Sequence, residues 1–172
     1  TFAYDAGGRL VSKQVTDHES QVTVTDYGYD NFGRRSSVSG PMGEASYQYS
    51  FDGRRVSRYA NGTLLNYTWD VEDGNSRLID IQAENGGRVA SYAYGNELVS
   101  QLDANGATQP VVTDFQGSVI GILGTAPSTY AYDPFGNTIH ENDPTASPQH
   151  LSWLSRPYDV ETDDYYLINR YY

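Results

Sequence analysis

Cysteine is absent from this 172-residue chain, which excludes a disulfide framework, a thiolate zinc site and a cysteine nucleophile. Lysine is almost absent as well, since Lys13 stands alone beside ten arginines. Basic residues total 11 against 22 acidic ones, a formal charge of −11. That balance argues against a nucleic-acid partner, which needs a basic face to displace counterions from phosphates. No apolar run is long enough to form a membrane-spanning helix. Hydrophobic residues are sparse at 38 %, yet a third of them are aromatic, so a disordered chain is also excluded. The chain begins at Thr1 with no signal-peptide pattern, and it reads as a piece of something longer.

What is abundant is tyrosine and glycine, 16 Tyr against 5 Phe and 17 Gly. They fall into a repeat. Phe2-Ala3-Tyr4-Asp5-Ala6-Gly7-Gly8-Arg9 aligns with Tyr27-Gly28-Tyr29-Asp30-Asn31-Phe32-Gly33-Arg34, with Tyr47 to Arg54 and with Tyr130 to Asn137. Weaker copies start at Tyr67, Tyr92 and Val111, the last ending Asp114-Phe115-Gln116-Gly117-Ser118.

The unit has a physical meaning. Aromatic-x-aromatic sets two rings on one face of a strand, because side chains alternate with period 2. Asp-x-x-Gly then turns the chain: the carboxylate accepts backbone N–H groups and glycine takes the φ > 0 position. Gly8, Gly33, Gly53, Gly117 and Gly136 are expected at equivalent places. The following Arg opens the return strand, where its guanidinium can lie over a neighbouring ring. Between these turns fall Asn61-Gly62, Asn85-Gly86 and Asn105-Gly106, strong hairpin signals, with Gly40-Pro41-Met42-Gly43 and Gly124 to Ser128 filling the same role. Two alternating classes of turn predict a running antiparallel meander of about fourteen strands, two per repeat. The one helix candidate, His150 to Leu154, is short. The fold class is all-β.

The ordered series resembles the YD-repeat, or RHS (rearrangement hotspot), proteins, whose relatives include insecticidal toxin-complex components and teneurins. Its carriers are Tyr94-Gly95-Asn96-Glu97-Leu98-Val99-Ser100-Gln101, then Asp114-Phe115-Gln116-Gly117-Ser118-Val119, then Tyr132-Asp133-Pro134-Phe135-Gly136-Asn137. The stretch Arg156-Pro157-Tyr158-Asp159-Val160-Glu161-Thr162, with Tyr165-Tyr166-Leu167 and Arg170-Tyr171-Tyr172, is similar to the family's terminal core signature. Asp163-Asp164 stands where the family has Gly-Leu, and Ser155 where it has Gly.

The resemblance implies a YD-repeat β-sheet over residues 1–140, a Pro-containing loop over 141–157 and a C-terminal strand–turn–strand over 158–172. It implies an arc or winding of a spiral β-shell that encloses a toxin or effector polypeptide, in a bacterial protein that is secreted or at the cell surface. The implied partners are further YD-repeat segments of the same parent and the enclosed polypeptide. In the family the Arg-x-Tyr-Tyr segment runs into an aspartate-dependent self-cleavage motif, which this chain does not contain, so no enzyme activity is assigned to it. An alternative is a recognition module that binds glycan or protein through exposed Tyr and Trp.

Candidate sites read weakly beside these. Asp159, Glu161, Asp163 and Asp164 lack the Gly and Glu that a calcium loop beginning at Asp159 requires, and they read as a solvated acidic turn. His18, His140 and His150 lack metal-site spacing and read as surface or loop residues. No Gly-x-Ser-x-Gly elbow supports a hydrolase. Catalytic, cofactor and metal residues are therefore expected to be none. Asn61 and Asn66 fit the N-glycosylation pattern, though Asn61 is better explained as a turn residue. The C-terminal Asn169-Arg170-Tyr171-Tyr172, with one charge and two rings, reads as an unpaired sheet edge.

Overall fold

The computed structural model describes residues 1–17, 19–71, 76–143, 150–168 and 170–172. Fourteen strands follow one another in a single sheet: β1 (Phe2–Tyr4), β2 (Leu10–Thr16), β3 (Val22–Tyr29), β4 (Arg35–Gly40), β5 (Gly43–Tyr49), β6 (Arg55–Ala60) and β7 (Thr63–Asp70), then β8 (Arg77–Ala83), β9 (Arg88–Tyr94), β10 (Leu98–Leu102), β11 (Thr108–Thr113), β12 (Val119–Ile122), β13 (Ser128–Tyr132) and β14 (Thr138–Asn142). Each pairs antiparallel with the next, and the sheet does not close. Strands hold 57 % of the residues and helix 2 %, so the all-β meander expected from the repeat is the fold.

The turns explain why the chain folds this way. In the Asp5, Asp30, Asp114 and Asp133 turns, one carboxylate oxygen accepts the N–H groups two and four residues on, at 2.8–3.0 Å. The glycine N–H closes back onto the carbonyl three residues earlier. Gly8, Gly33, Gly53, Gly117 and Gly136 all lie at φ between 76° and 90°, as their shared position requires. This is a type I turn followed by a left-handed residue and a bulge. The Asp5 carboxyl sits below its ordinary value of 3.8, chiefly because it accepts the Arg9 backbone N–H.

The second class of turn is smaller than its sequence suggests. Asn61-Gly62 alone among the three pairs forms a two-residue turn with both residues at positive φ, 49° and 82°. Asn105-Gly106 instead completes an Asp-x-x-Gly turn that begins at Asp103. Asn85-Gly86 follows the same pattern from Ala83. Asp17 caps a further copy, with Ser20 at φ 64° in the place of glycine. His18, residues 72–75, Pro144 and Pro148, and Asn169 lie outside the described residues.

The first aromatic of the unit is buried in five copies, and only Phe2 on the edge strand is exposed: Tyr27, Tyr47, Tyr67, Tyr92 and Tyr130 line one face with Val38, Ala45, Ala60, Leu65, Ile81 and Ala90. The register confirms the shared face, since Tyr27, Val38, Ala45 and Ala60 are successive cross-strand partners, as are Tyr67, Ile81 and Ala90. The second aromatic has a separate duty. The Tyr29 hydroxyl donates to Leu10 O at 2.8 Å, Tyr49 to Arg35 O at 2.6 Å, Trp69 Nε1 to Arg55 O at 2.7 Å and Tyr94 to Leu78 O at 2.9 Å. This rung from one repeat to the one before needs a polar ring atom that Phe lacks. Arginines also stack where expected, Arg9 over Tyr29, Arg34 over Tyr49 and Arg77 over Tyr94, at 4.9–5.3 Å.

A register shift precedes the second aromatic at Ala3/Tyr4, Gly28/Tyr29, Gln48/Tyr49, Thr68/Trp69 and Ala131/Tyr132. Each bulge adds twist and bend on the same side of the sheet.

Two glycines separate backbone strain from packing. A Cβ at Gly117 would meet nothing within 4 Å, whereas one at Gly136 would fall 2.8 Å from the Trp153 ring. Gly117→Ala is expected to cost about 1–2 kcal/mol for its left-handed backbone alone. Gly136→Ala should cost at least twice as much, measured by urea unfolding. Equal losses would show that residues around Trp153 do not pack on that turn.

Candidate functional site

Residues 150–168 and 170–172 lie across the buried face of the sheet. A single 3-10 turn at Trp153–Ser155 stands where the short helix was expected, and a two-strand ladder, β15 (Tyr158–Asp159) with β16 (Asp164–Tyr165), follows. The expected free edge at Tyr172 is therefore not one. Tyr165 and Tyr172 exchange backbone hydrogen bonds at 2.7 and 3.0 Å, and the sheet's real edges are β1 and β14.

This strap ties distant strands together. At one end Val119 N donates to Ser152 O at 3.1 Å, Leu154 N to Ser118 Oγ at 3.2 Å and Ser155 Oγ to Gly117 O at 2.6 Å. Adjacent side chains then diverge. The Tyr165 hydroxyl donates to Gly136 O at 2.9 Å, while the Tyr166 hydroxyl donates to Gly53 O at 3.3 Å and accepts Arg55 N at 2.8 Å. Gly53 follows β5 and Gly136 follows β13, eight strands apart, which in a flat sheet is roughly 38 Å. Two neighbouring tyrosines cannot reach that far, so the sheet curls with its tyrosine face inward.

Four ion pairs lock the strap. Arg35 meets Asp164 and Arg55 meets Asp159, both at 2.5 Å, Arg58 holds Glu161, and Arg58 Nε also lies 3.6 Å from Asp159. Asp159 is 1 % exposed, Glu161 4 % and Arg55 0 %. Three of the four acidic residues thus depart from the solvated turn that their composition suggests: Asp159, Glu161 and Asp164 face arginines of β4 and β6, while Asp163 is exposed and accepts from the Tyr158 hydroxyl. Burial pulls the Arg55 guanidinium down, and Asp159 beside it more than reverses this, so it stays charged. The Nε and Nη2 atoms of Arg55 have no hydrogen-bond acceptor among the described residues. Aromatic faces take their place, with Tyr166, Tyr67 and Tyr47 ring centres at 4.5, 5.0 and 5.2 Å from the guanidinium carbon. Tyr49 donates to Arg35 O, so Tyr171 is the donor in the 2.7 Å contact between their hydroxyls. Trp153 stacks on Tyr172 at 5.4 Å and 27°.

A cavity of about 900 Å3 remains between strap and sheet, lined by Arg58, Leu65, Ala83, Tyr130, His150 and Glu161 among others. His140 is exposed on β14, but His150 is partly buried beside this cavity, where burial and then Arg58 lower it to about 4. Among the described residues no three His, Asp or Glu side chains converge as metal ligands. The geometry holds polypeptide against polypeptide, and its charged groups are spent on one another.

Sequence reasoning missed this latch, although a signal existed. The second residue after the turn glycine is Leu10, Arg35, Arg55 and Val119 after Gly8, Gly33, Gly53 and Gly117, none of them exposed, so two arginines interrupt an apolar row.

Residues 4–45 match the family model RHS Repeat. Over its whole length the chain is 30 % identical to the tRNA3(Ser)-specific nuclease WapA of Bacillus spizizenii, and 29 % identical to the tRNA nuclease WapA of Bacillus subtilis strain 168. It spans 7 % of the length of each of these relatives. Among solved structures, all of the chain superposes on 11 % of a chain in the Photorhabdus luminescens Tc holotoxin pore, with TM-score 0.58 and 14 % identity. It matches a TcdB2-TccC3-TEV crystal structure at TM-score 0.57 and 15 % identity, again over 11 % of that chain. These structural likenesses establish the fold.

Removing the Asp159 carboxylate leaves Arg55 charged and buried, so Asp159→Ala is expected to cost about 3–5 kcal/mol in urea unfolding. The double change Arg55→Met with Asp159→Leu should recover most of that loss. Without recovery, the cost lies in packing and not in the orphaned charge. His150 should show in the pH profile. Its folded value lies below its unfolded one, so the unfolded chain binds the extra proton, and stability falls as pH drops from about 6.5 to about 4. His150→Gln should flatten that segment of the profile.

Proposed function

Since the chain is a run of RHS repeats, we propose that its work is enclosure: it forms part of the wall of a shell around a toxin or effector polypeptide and has no chemistry of its own. The supporting observation is the inward curl, with tyrosine rows and a latched strap on one face and two open edges. Each edge offers a row of free backbone groups to a further repeat of the same kind. Such repeats are the first partners, and the enclosed polypeptide is the second. The three stretches 1–140, 141–157 and 158–172 serve as wall, connecting loop and latch.

The nuclease activity named for the WapA relatives belongs to proteins of which this chain matches 7 %. For the protein that contains this segment, we place any such activity in the enclosed polypeptide. Secretion or display at the cell surface fits a delivery role. Among the described residues no helix is long and apolar enough to cross a membrane. The glycan-binding alternative finds less support, because most tyrosines of the repeats are buried or hydrogen-bonded to backbone and Trp69 donates to Arg55 O.

Limited proteolysis of the full gene product tests the reading. Enclosure predicts that the carried polypeptide resists protease in the intact protein and becomes sensitive in Asp159→Ala. A polypeptide already digested at wild-type rates, with the repeats still folded, would contradict it.

A further inference from the structure

A pocket of about 350 Å3 opens between the turn after β3, the turn after β5 and the strap. Arg34, Arg35 and Arg170 line it with Phe32, Ile168 and Tyr171, and among the described residues no Asp or Glu does. In a chain of formal charge −11, composition alone does not produce such a place. The larger cavity beside His150 shows the expected balance, with Arg58 outnumbered by Glu141, Asp143 and Glu161.

The three guanidinium groups are not equally spent. Arg35 is the deepest, its side chain 10 % exposed. Asp164 takes one of its nitrogens, and its Nε has no acceptor among the described residues. Arg34 gives Nε to Asp30 at 2.7 Å and Nη1 to Ser50 O at 2.9 Å. Arg170 is exposed and has no ion-pair partner among the described residues. Two carboxylates thus stand against three guanidinium groups, and one positive charge is left over. Tyrosine hydroxyls do not compete as donors here, since Tyr29 donates to Leu10 O and Tyr49 to Arg35 O.

Backbone and ring add to the charge. Ile168, in the pocket wall, holds φ at 68°, a left-handed conformation that β-branched residues rarely adopt. Leu167 N donates to Arg170 O at 2.8 Å, so this strained backbone is tied to the residue with the unspent charge. Strain of that kind persists where the surroundings over-determine it, and it clusters at ligand clamps. Phe32 lines the same pocket and is 81 % exposed. Arg34 lies over one face of its ring, 5.0 Å from the centre. The turn itself needs only Asp30 and Gly33, so the ring serves no structural end there.

We infer that this pocket binds an oxyanion, a phosphate or carboxylate group, carried on a planar ring. Arg170 and Arg34 hold the oxygens, and Phe32 stacks on the ring. A guanidinium presents parallel N–H groups that match two oxygens of either anion at once. An aromatic body packs on Phe32 in the offset arrangement that ring pairs prefer. The volume lies at the small end of ligand pockets, about 300–1,000 Å3, and suits one ring with one anionic group. The site does not depend on the enclosure reading, and it leaves the Arg55 latch untouched.

Isothermal titration of the full chain at one ionic strength tests the site with phenyl phosphate and benzoate. Inorganic phosphate and acetate serve as their ringless counterparts. The expected result is a Kd of about 1 mM or tighter for phenyl phosphate or benzoate, the tighter of the two naming the anion. Each ringless counterpart should bind more weakly. Arg170→Gln should weaken the better ligand at least about tenfold, and Phe32→Ser should remove the advantage of the ring. Both side chains are exposed, and circular dichroism confirms that the variants keep their strands. Arg88→Gln, exposed on β9 and outside the pocket, should leave the affinity unchanged. A wild type that binds neither ringed anion at about 1 mM overturns the inference. So does an affinity unchanged in Arg170→Gln, an equal loss in Arg88→Gln, or ringless anions that bind as tightly as ringed ones.

Discussion

A guanidinium with no water around it dictates much of this molecule. Arg55 is fully buried on the inner face of β6, and isolated there it would be prohibitively costly. It is tolerated because Asp159 arrives from more than a hundred residues away and because three tyrosine rings turn their faces to it. The net gain of such a pair over an apolar packing is small, since both ions lose their hydration. Its contribution is placement. A strap shifted by one residue would present Val160, not Asp159, to Arg55 and leave the guanidinium buried without its carboxylate.

Placement of the strap in turn fixes the bend. Each repeat carries its own tendency to curl, through a bulge at the second aromatic and a tyrosine rung back to the previous hairpin. These local devices repeat, but they do not by themselves select one radius. The strap does so by holding the Gly53 and Gly136 turns to neighbouring residues, Tyr166 and Tyr165. The Arg35–Asp164 and Arg58–Glu161 pairs keep it from swinging about Arg55. Tight backbone approach completes the seat, because Gly136 leaves room for Trp153 that no other residue would.

The repeat was legible in the sequence because each of its parts answers to local rules. Asp-x-x-Gly must turn, aromatic-x-aromatic must share a face, and the strand count follows from the turns. Local rules also misled at two points. Asn85-Gly86 and Asn105-Gly106 look like two-residue turns, yet both sit in longer turns closed by Gly86 N on Ala83 O and Gly106 N on Asp103 O. The acidic tail looks hydrated because composition alone cannot show that Arg35 and Arg55 point inward. That fact depends on which face is covered, and coverage is a property of the closed arc. The edge expected at Tyr172 failed for the same reason: a tail that folds across the inner face has a better partner than a free edge does. Once alternation along the return strands is followed, the two inward arginines mark where acidic residues must come to rest.

Interspin distance across the arc tests the central claim, that the strap sets the curvature through its buried ion pair. The chain has no cysteine, so Ser37→Cys on β4 and Thr129→Cys on β13, both exposed, accept spin labels without competition. With Asp159 in place, one narrow distance distribution is predicted, shorter than nine flat strands would give, roughly 43 Å. In Asp159→Asn the distribution should broaden and lengthen while the strands remain. An identical narrow distribution in both proteins would show that the repeats alone fix the bend and that the strap merely rests on it.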